Sequence, residues 1–224
     1  MGKAFLRRFV TYRINYRSCG ILCASNMGNE KRTVLITGFG PFGEHSVNAS
    51  WVAVQNLKQR NLLPDVNVHI EEIPVDYQEV SHIVPELWKR KDPALVVHVG
   101  VSGIADKLTL EQRAHNVGYH RKDVKGKTPN KECCREEGEE CICAGLDMSR
   151  VSAEINDTDN ELQAEVSEDA GRYLCDFSYY TSLSINKSRS AFIHVPPLNQ
   201  PYTEDQLAVG LAMAISSMLK QLPE

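Results

Sequence analysis

Cys175 stands apart from the other six cysteines of this 224-residue chain, and its surroundings suit a nucleophile. A polar turn at residues 169–171 precedes an apolar segment, so Cys175 is predicted to lie in the opening turns of a helix. The positive end of a helix dipole stabilises a thiolate, which is the reactive form of cysteine. The alternative is that this lone cysteine is only a small core residue.

His194 is the candidate general base for that thiol. It lies near the end of a short apolar strand, residues 191–195, where Pro196 and Pro197 turn the chain outward. A base that activates a thiol needs such a rigid position at the edge of a sheet. On spacing alone, a strand histidine can equally be a hydrogen-bonded core residue, so both interpretations stay open.

A glycine-rich segment, residues 38–43, follows the first predicted strand and satisfies the pattern G-x-G-x-x-G. This pattern can bind the pyrophosphate of a dinucleotide at a helix N-terminus. Here the third glycine does not open a helix, and Pro41 lacks the backbone N–H that a phosphate cradle would use. Phe39 and Phe42 suit a flat apolar ligand better. A loop that shapes an apolar pocket is favoured, with a structural turn or a nucleotide site as alternatives.

Four further cysteines cluster between residues 133 and 143 and could together hold zinc. Adjacent Cys133 and Cys134 can hardly both reach one metal, because paired zinc ligands are usually separated by two or more residues. The sequence therefore favours reduced thiols in a flexible acidic loop, and we expect no metal and no other cofactor. An odd total of seven cysteines without an export signal also indicates a cytoplasmic protein.

The composition, 42% hydrophobic and 24% charged, is typical of a globular domain. The net charge of −4 does not suggest a nucleic-acid partner, and no apolar run is long enough to cross a membrane. Residues 1–32 differ, since they hold seven basic side chains and one acidic one. We expect residues 1–31 to be a disordered basic extension before one folded domain, residues 32–224. A start at Met27 or a mitochondrial transit peptide are the alternatives for this extension.

Short apolar runs alternate with amphipathic segments along the remaining chain. The predicted strands are 33–38, 66–75, 94–100, 162–167 and 190–195, with an extended segment at 107–116. The predicted helices are about 48–60, 76–88, 147–156, 172–185 and 203–222, with a long irregular loop at 117–145. This alternation implies an α/β fold whose mostly parallel sheet is covered on both faces. Ligands of such sheets bind beyond the carboxyl ends of the strands.

Five motifs occur in order along the chain: TGFGPFG with VNASW (37–43 and 47–51), HVGVSG (98–103), TLE (109–111), DAGRYLCDF (169–177) and FIHVPP (192–197). Together they resemble the motifs of the pyroglutamyl-peptidase I family, the pyrrolidone-carboxylate peptidases. The resemblance covers about residues 32–222 and is closest to animal members. It implies a three-layer α/β/α sandwich, phosphorylase/hydrolase-like, with a mostly parallel central sheet. Residues 117–165 are the least family-like.

The resemblance also implies a catalytic triad. The family's nucleophile falls on Cys175, its general base on His194, and its acid, which orients the imidazole, on Glu111. Only the resemblance selects Glu111 from the 29 acidic residues. The implied activity is hydrolysis of the bond after an N-terminal pyroglutamyl residue, through a thioester, with little demand on the next residue. A catalytically silent homologue that only binds pyroglutamyl peptides is the alternative.

A pocket for the flat lactam ring of pyroglutamate is implied as well. Phe39 and Phe42 would pack on the ring, and Asn48 would build that corner of the loop. Tyr173 and Leu174, just before the nucleophile, would line the pocket. A site that hydrogen-bonds the lactam carbonyl would reject proline, because its buried polar groups would be left unpaired. The oligomeric state is not implied, since family members occur as monomers and as tetramers.

Overall fold

The computed structural model of the protein describes residues 31–43, 47–159 and 161–223. Residues 1–30 lie outside the described residues, and with them most of the predicted basic extension, Cys19 and Cys23. In the part of the chain that is described, no helix is long and apolar enough to span a membrane.

Strands and helices alternate along most of the described chain. The strands are β1 (Thr33–Phe39), β2 (Asn67–Ile73), β3 (Leu95–Val101), β4 (Leu108–Glu111), β5 (Arg113–His115), β6 (Cys141–Cys143), β7 (Ala164–Ser167) and β8 (Ser190–Val195). The helices are α1 (Ala49–Gln59), α2 (Tyr77–Lys91), α3 (Met148–Asn156), α4 (Leu174–Asn186) and α5 (Glu204–Leu219).

Six strands form the central sheet in the order β2-β1-β3-β8-β4-β7. The first four are mutually parallel, while β4 runs antiparallel to β8 and β7 runs parallel to β4. Helices α1 and α3 both pack on α5, whereas α2 packs on α4. The predicted three-layer α/β/α sandwich with a mostly parallel sheet is therefore confirmed.

Polar side chains start the helices where the sequence indicates. Asn48 caps α1 and Asp76 caps α2, each by accepting a backbone N–H of the first turn. Thr203 begins α5 with a complete capping box, in which Gln206 returns the hydrogen bond. Helix α5 ends at Leu219, so Leu222, predicted on its buried side, lies beyond the helix but still packs on the core.

Residues 117–145 were predicted to be irregular throughout, which is wrong at one point. Strand β6 lies in this segment and pairs antiparallel with β5 in a separate two-stranded sheet. Three residues after an acidic stretch are too few to show the alternation that predicts a strand. The hydrogen bonds to β5 define β6, and they join residues far apart in the sequence.

Candidate active site

Cys175 is the second residue of α4, as its predicted position at the start of a helix requires. Tyr173 is the N-cap, and within the described structure its side chain makes no capping hydrogen bond. The N–H groups of the first helical turn are therefore not satisfied by a capping side chain. These N–H groups and the helix dipole lie at the end of α4 that carries Cys175, where they can stabilise negative charge on a bound group.

His194 and Glu111 face each other from neighbouring strands. Strand β4 runs antiparallel to β8, with Thr109 opposite His194 and Glu111 opposite Phe192. The His194 Nδ1 atom lies 2.8 Å from Glu111 Oε1, and both residues are buried. Because an ionised carboxylate only accepts, Nδ1 carries the hydrogen, and Nε2 is left without the Glu111 carboxylate as its partner. The structure thus bonds His194 to Glu111 and places both residues with Cys175 beside one cleft.

Opposing effects set the pKa of the His194 imidazole. Burial alone would lower this pKa, because it removes water from the charged ring. The charges of Cys175 and Glu111, with the hydrogen bond to the Glu111 carboxylate, outweigh burial and raise the pKa of His194 to about 10. These partners therefore favour the imidazolium form of His194. Paired with a thiolate, it supplies both a nucleophile and a proton for a leaving group.

Gly100 on β3 leaves the space that the nucleophile occupies. It is paired with His194 in the register between β3 and β8. A Cβ atom on Gly100 would lie 2.9 Å from the Cys175 sulfur and 2.8 Å from Phe192 Cζ, both inside van der Waals contact. Cys175 can therefore approach β3 only because residue 100 has no side chain. The glycine in the HVGVSG motif is the sequence signal for this requirement.

A cleft of about 680 Å³ opens in front of these residues. All five predicted pocket residues border it: Phe39, Phe42, Asn48, Tyr173 and Leu174. The Asn48 amide donates to the Gly40 carbonyl at 3.0 Å, while its oxygen accepts the N–H of Ser50 at the start of α1. Asn48 therefore fixes the loop that presents the two phenylalanines to the cleft.

Arg121 also lines the cleft, although it lies in the segment predicted to be irregular. Its guanidinium lies 4.2 Å from the centre of the Tyr173 ring, which is a cation–π contact. Two tyrosine hydroxyls hold the backbone at this contact. Tyr77 donates to the Arg121 carbonyl, and Tyr173 donates to the Lys122 carbonyl. No sequence pattern predicts Arg121 as a cleft residue, because its position depends on these tertiary contacts.

Asp176, directly after the nucleophile, is a buried residue that the sequence analysis did not select. Its carboxylate accepts the backbone N–H of His115 on β5, the hydroxyl of Tyr119 and a guanidinium hydrogen of Arg172. Burial raises the pKa of Asp176 to about 7, against the lowering effect of these partners. Asp176 therefore ties the helix that carries Cys175 to the strand that follows Glu111.

The clustered cysteines face different surroundings. Cys141 and Cys143 lie on β6, while the sulfur of Cys134 faces Thr181 Oγ1 at 3.3 Å. Burial raises the pKa of the Cys134 thiol to about 12, which keeps it protonated. Among the residues that the structure describes, no group of three or more His, Cys, Asp or Glu side chains could hold a metal ion. The five described cysteines are free thiols.

Comparisons with known proteins agree with the motifs. The family described as pyroglutamyl peptidase matches residues 32–222. Human pyroglutamyl-peptidase 1 is 48% identical over 198 residues, which cover 88% of this chain and 95% of the relative. The rat protein of that name gives the same identity and coverage. A crystal structure of pyroglutamyl peptidase I from Bacillus amyloliquefaciens has a TM-score of 0.75 at 25% identity, covering 87% of this chain and 100% of that chain. The predicted family is confirmed, and the chain belongs to the pyroglutamyl peptidases.

Proposed function

We propose that the chain is a cysteine peptidase that hydrolyses the bond after an N-terminal pyroglutamyl residue in peptides. The observation that carries this proposal is the buried His194–Glu111 hydrogen bond, which borders the same cleft as Cys175 at the start of α4. It lies on a cleft with aromatic side chains, in a chain that belongs to the pyroglutamyl peptidases. Animal relatives named pyroglutamyl-peptidase 1 support the choice of substrate.

In the first half of the reaction, the Cys175 thiolate attacks the carbonyl carbon that links pyroglutamate to the next residue. The charge that develops on the carbonyl oxygen is stabilised by N–H groups of the first turn of α4. Imidazolium His194 donates its Nε2 proton to the leaving nitrogen, and the C–N bond breaks. The peptide leaves as a free amine, and pyroglutamate remains on Cys175 as a thioester.

In the second half, water attacks the thioester. Neutral His194 takes a proton from this water, the C–S bond breaks, and the sulfur leaves as a thiolate. The product is free pyroglutamate, and the thiolate–imidazolium pair is restored. Glu111 holds the imidazole in one orientation and stabilises its positive charge in each half-reaction.

The proposed substrate group is a flat, neutral five-membered lactam without a free amine. Phe39 and Phe42 offer faces on which such a ring can pack. A site that hydrogen-bonds the lactam loses those bonds with proline, whose ring has no carbonyl, so its buried polar groups would stay unpaired.

A fluorogenic pyroglutamyl amide, compared with the matching prolyl amide, tests this function. The reduced, purified protein should hydrolyse the pyroglutamyl amide at least about 100-fold faster, because proline leaves buried polar groups without partners. Treatment with iodoacetamide should stop the reaction by alkylating the nucleophile. Calorimetric binding of the pyroglutamyl amide without any turnover would contradict the proposal and favour the silent homologue.

Gly100→Ala should slow this hydrolysis by moving the nucleophile. Its new Cβ would meet the Cys175 sulfur at 2.9 Å, and a displacement of about 1 Å can lower catalysis about 100-fold. Overpacking should also lower the free energy of unfolding by about 1–3 kcal/mol. Steady-state kinetics and urea unfolding measure the two effects separately.

Gly210→Ala on α5 is the matched control. Its Cβ would lie 2.5 Å from Leu108 Cδ1, so this change also overpacks the core. We expect a comparable loss of stability with kcat unchanged. If the two variants keep the same kcat, the space at Gly100 does not determine the position of the nucleophile.

The cytoplasm is the proposed compartment, because the thiolate of Cys175 has to stay reduced to act. The free state of the five described cysteines fits a reducing environment. A mitochondrial location is the alternative, and it depends on residues 1–31.

A further inference from the structure

The strand order divides the cleft into two sides around the nucleophile. Phe39 ends β1, and His194 lies on β8, which is separated from β1 by β3. On the other side of β8, Thr109 lies on β4 and Glu165 on β7. All of these residues border the same cleft. If the pyroglutamyl ring packs on Phe39, the leaving peptide extends over the opposite side, towards β4 and β7.

The floor of that opposite side is a row of paired residues. His194 is paired with Thr109 across β8 and β4, and Thr109 is paired with Glu165 across β4 and β7. Paired residues of adjacent strands point to the same face of a sheet. The surface beside His194 therefore continues without a break to the edge strand β7.

The charged groups on this side are paired with one another. Glu165 forms an ion pair with Lys107 at 3.4 Å, and Asp169 forms one with Arg172 at 2.5 Å. Because each of these four groups has a charged partner, none of them is left unpaired to select a charged side chain.

Ile104 lies in the connection from β3 to β4, two strands that have β8 with His194 between them in the sheet. It is 97% exposed, against 59% for Val47, the next most exposed of the large hydrophobic side chains described. It borders the cleft in a turn closed by the hydrogen bond from the Ala105 N–H to the Ser102 carbonyl. The Ser102 N–H is bonded to the carbonyl of Val195, the residue after His194. Ile104 is thus held on a turn anchored beside the proposed base.

We propose that Ile104 packs against the side chain of the residue that follows pyroglutamate, and so favours peptides with a large apolar residue there. This inference rests on the proposed function. Apolar area on Ile104 that water now covers would be buried by leucine or phenylalanine but hardly by alanine. Contacts of a few methylene groups change kcat/KM by about tenfold, which is a graded preference and not an exclusion.

The test is kcat/KM for pyroglutamyl dipeptide amides whose second residue is alanine, leucine or phenylalanine. The wild type should prefer leucine and phenylalanine over alanine by about tenfold. In Ile104→Ser this ratio should fall close to one, mainly through slower cleavage of the two larger substrates. Ile185→Ser, at the far end of α4 and 45% exposed, is the matched control and should keep the wild-type ratio.

An unchanged ratio in Ile104→Ser, or a wild type without any preference, would overturn the inference. Calorimetric affinities of the Cys175→Ala variant for the same peptides, with and without Ile104→Ser, test the contact independently of turnover. If the wild type cleaves none of the peptides, the proposed function fails. An apolar preference in these affinities that disappears with Ile104→Ser would still support the contact.

Discussion

Cys175→Ala should abolish hydrolysis of pyroglutamyl amides, with kcat/KM falling by about 10⁴-fold or more. Alanine has no group that can form the thioester, and an unassisted water attack on the amide is far slower. Because Cys175 is partly exposed at the start of α4, losing its sulfur should hardly change the free energy of unfolding. Progress curves with the fluorogenic amide and urea unfolding curves measure the two quantities.

Cys133→Ala is the matched control, since Cys133 is also partly exposed but does not line the cleft. This variant should keep wild-type kinetics and should still be inactivated by iodoacetamide. Peptide mass spectrometry should find that activity is lost in step with alkylation of Cys175. Inactivation that follows Cys133, or more than about 1% of wild-type activity in Cys175→Ala, would exclude Cys175 as the nucleophile, because loss of a covalent nucleophile is far larger.

Local sequence signals were sufficient to predict most of the strands and helices. Strand β3 is apolar apart from His98 and is buried along nearly its whole length, as a parallel central strand should be. Asn48, Asp76 and Thr203 start helices because each places an oxygen next to N–H groups that lack partners. Such signals act within a few residues, so they can be recognised without knowing the fold.

The candidate site depends on contacts between distant residues, which local signals do not contain. Glu111 and His194 are 83 positions apart, and they meet because β4 is inserted antiparallel beside β8. The resemblance to a family selected Glu111, since neither its neighbours nor its charge distinguishes it. Arg121 and Asp176 had no such guide, and only their contacts in the folded chain reveal them.

Two buried strand histidines illustrate why spacing alone left the base undecided. His98 on β3 is bonded through its two ring nitrogens to Thr37 and Ser182, each at 2.7 Å. Burial lowers the pKa of His98 to about 3, so this ring is neutral and has both partners within the core. His194 instead donates from Nδ1 to the Glu111 carboxylate and is affected by the charge of Cys175, and its pKa is raised to about 10. The two histidines are both buried, and it is their different partners that give them different pKa values.

Glu111→Gln isolates the charge of the proposed acid. The amide oxygen can still accept from His194 Nδ1, so the ring keeps its orientation, but the negative charge is lost. Within the described structure, Glu111 Oε2 has no hydrogen-bond partner, so an amide nitrogen at that position would not face another hydrogen-bond donor. We expect kcat to fall by about 10² to 10⁴-fold, because the imidazolium loses its stabilising charge during both half-reactions.

The same variant should change the dependence on pH. The pKa of folded His194, about 10, lies above the ordinary value of 6.5, so its protonated form adds stability below pH 6.5 that is lost as the pH rises through 10. Activity that needs the imidazolium should fall over the same alkaline range. Without the Glu111 charge, the alkaline limb of kcat/KM should move down by about one pH unit or more. Glu168→Gln, which removes a carboxylate from the exposed pair with Arg113, should leave that limb unchanged. An alkaline limb that stays in place in Glu111→Gln would mean that Glu111 does not set the charge of His194.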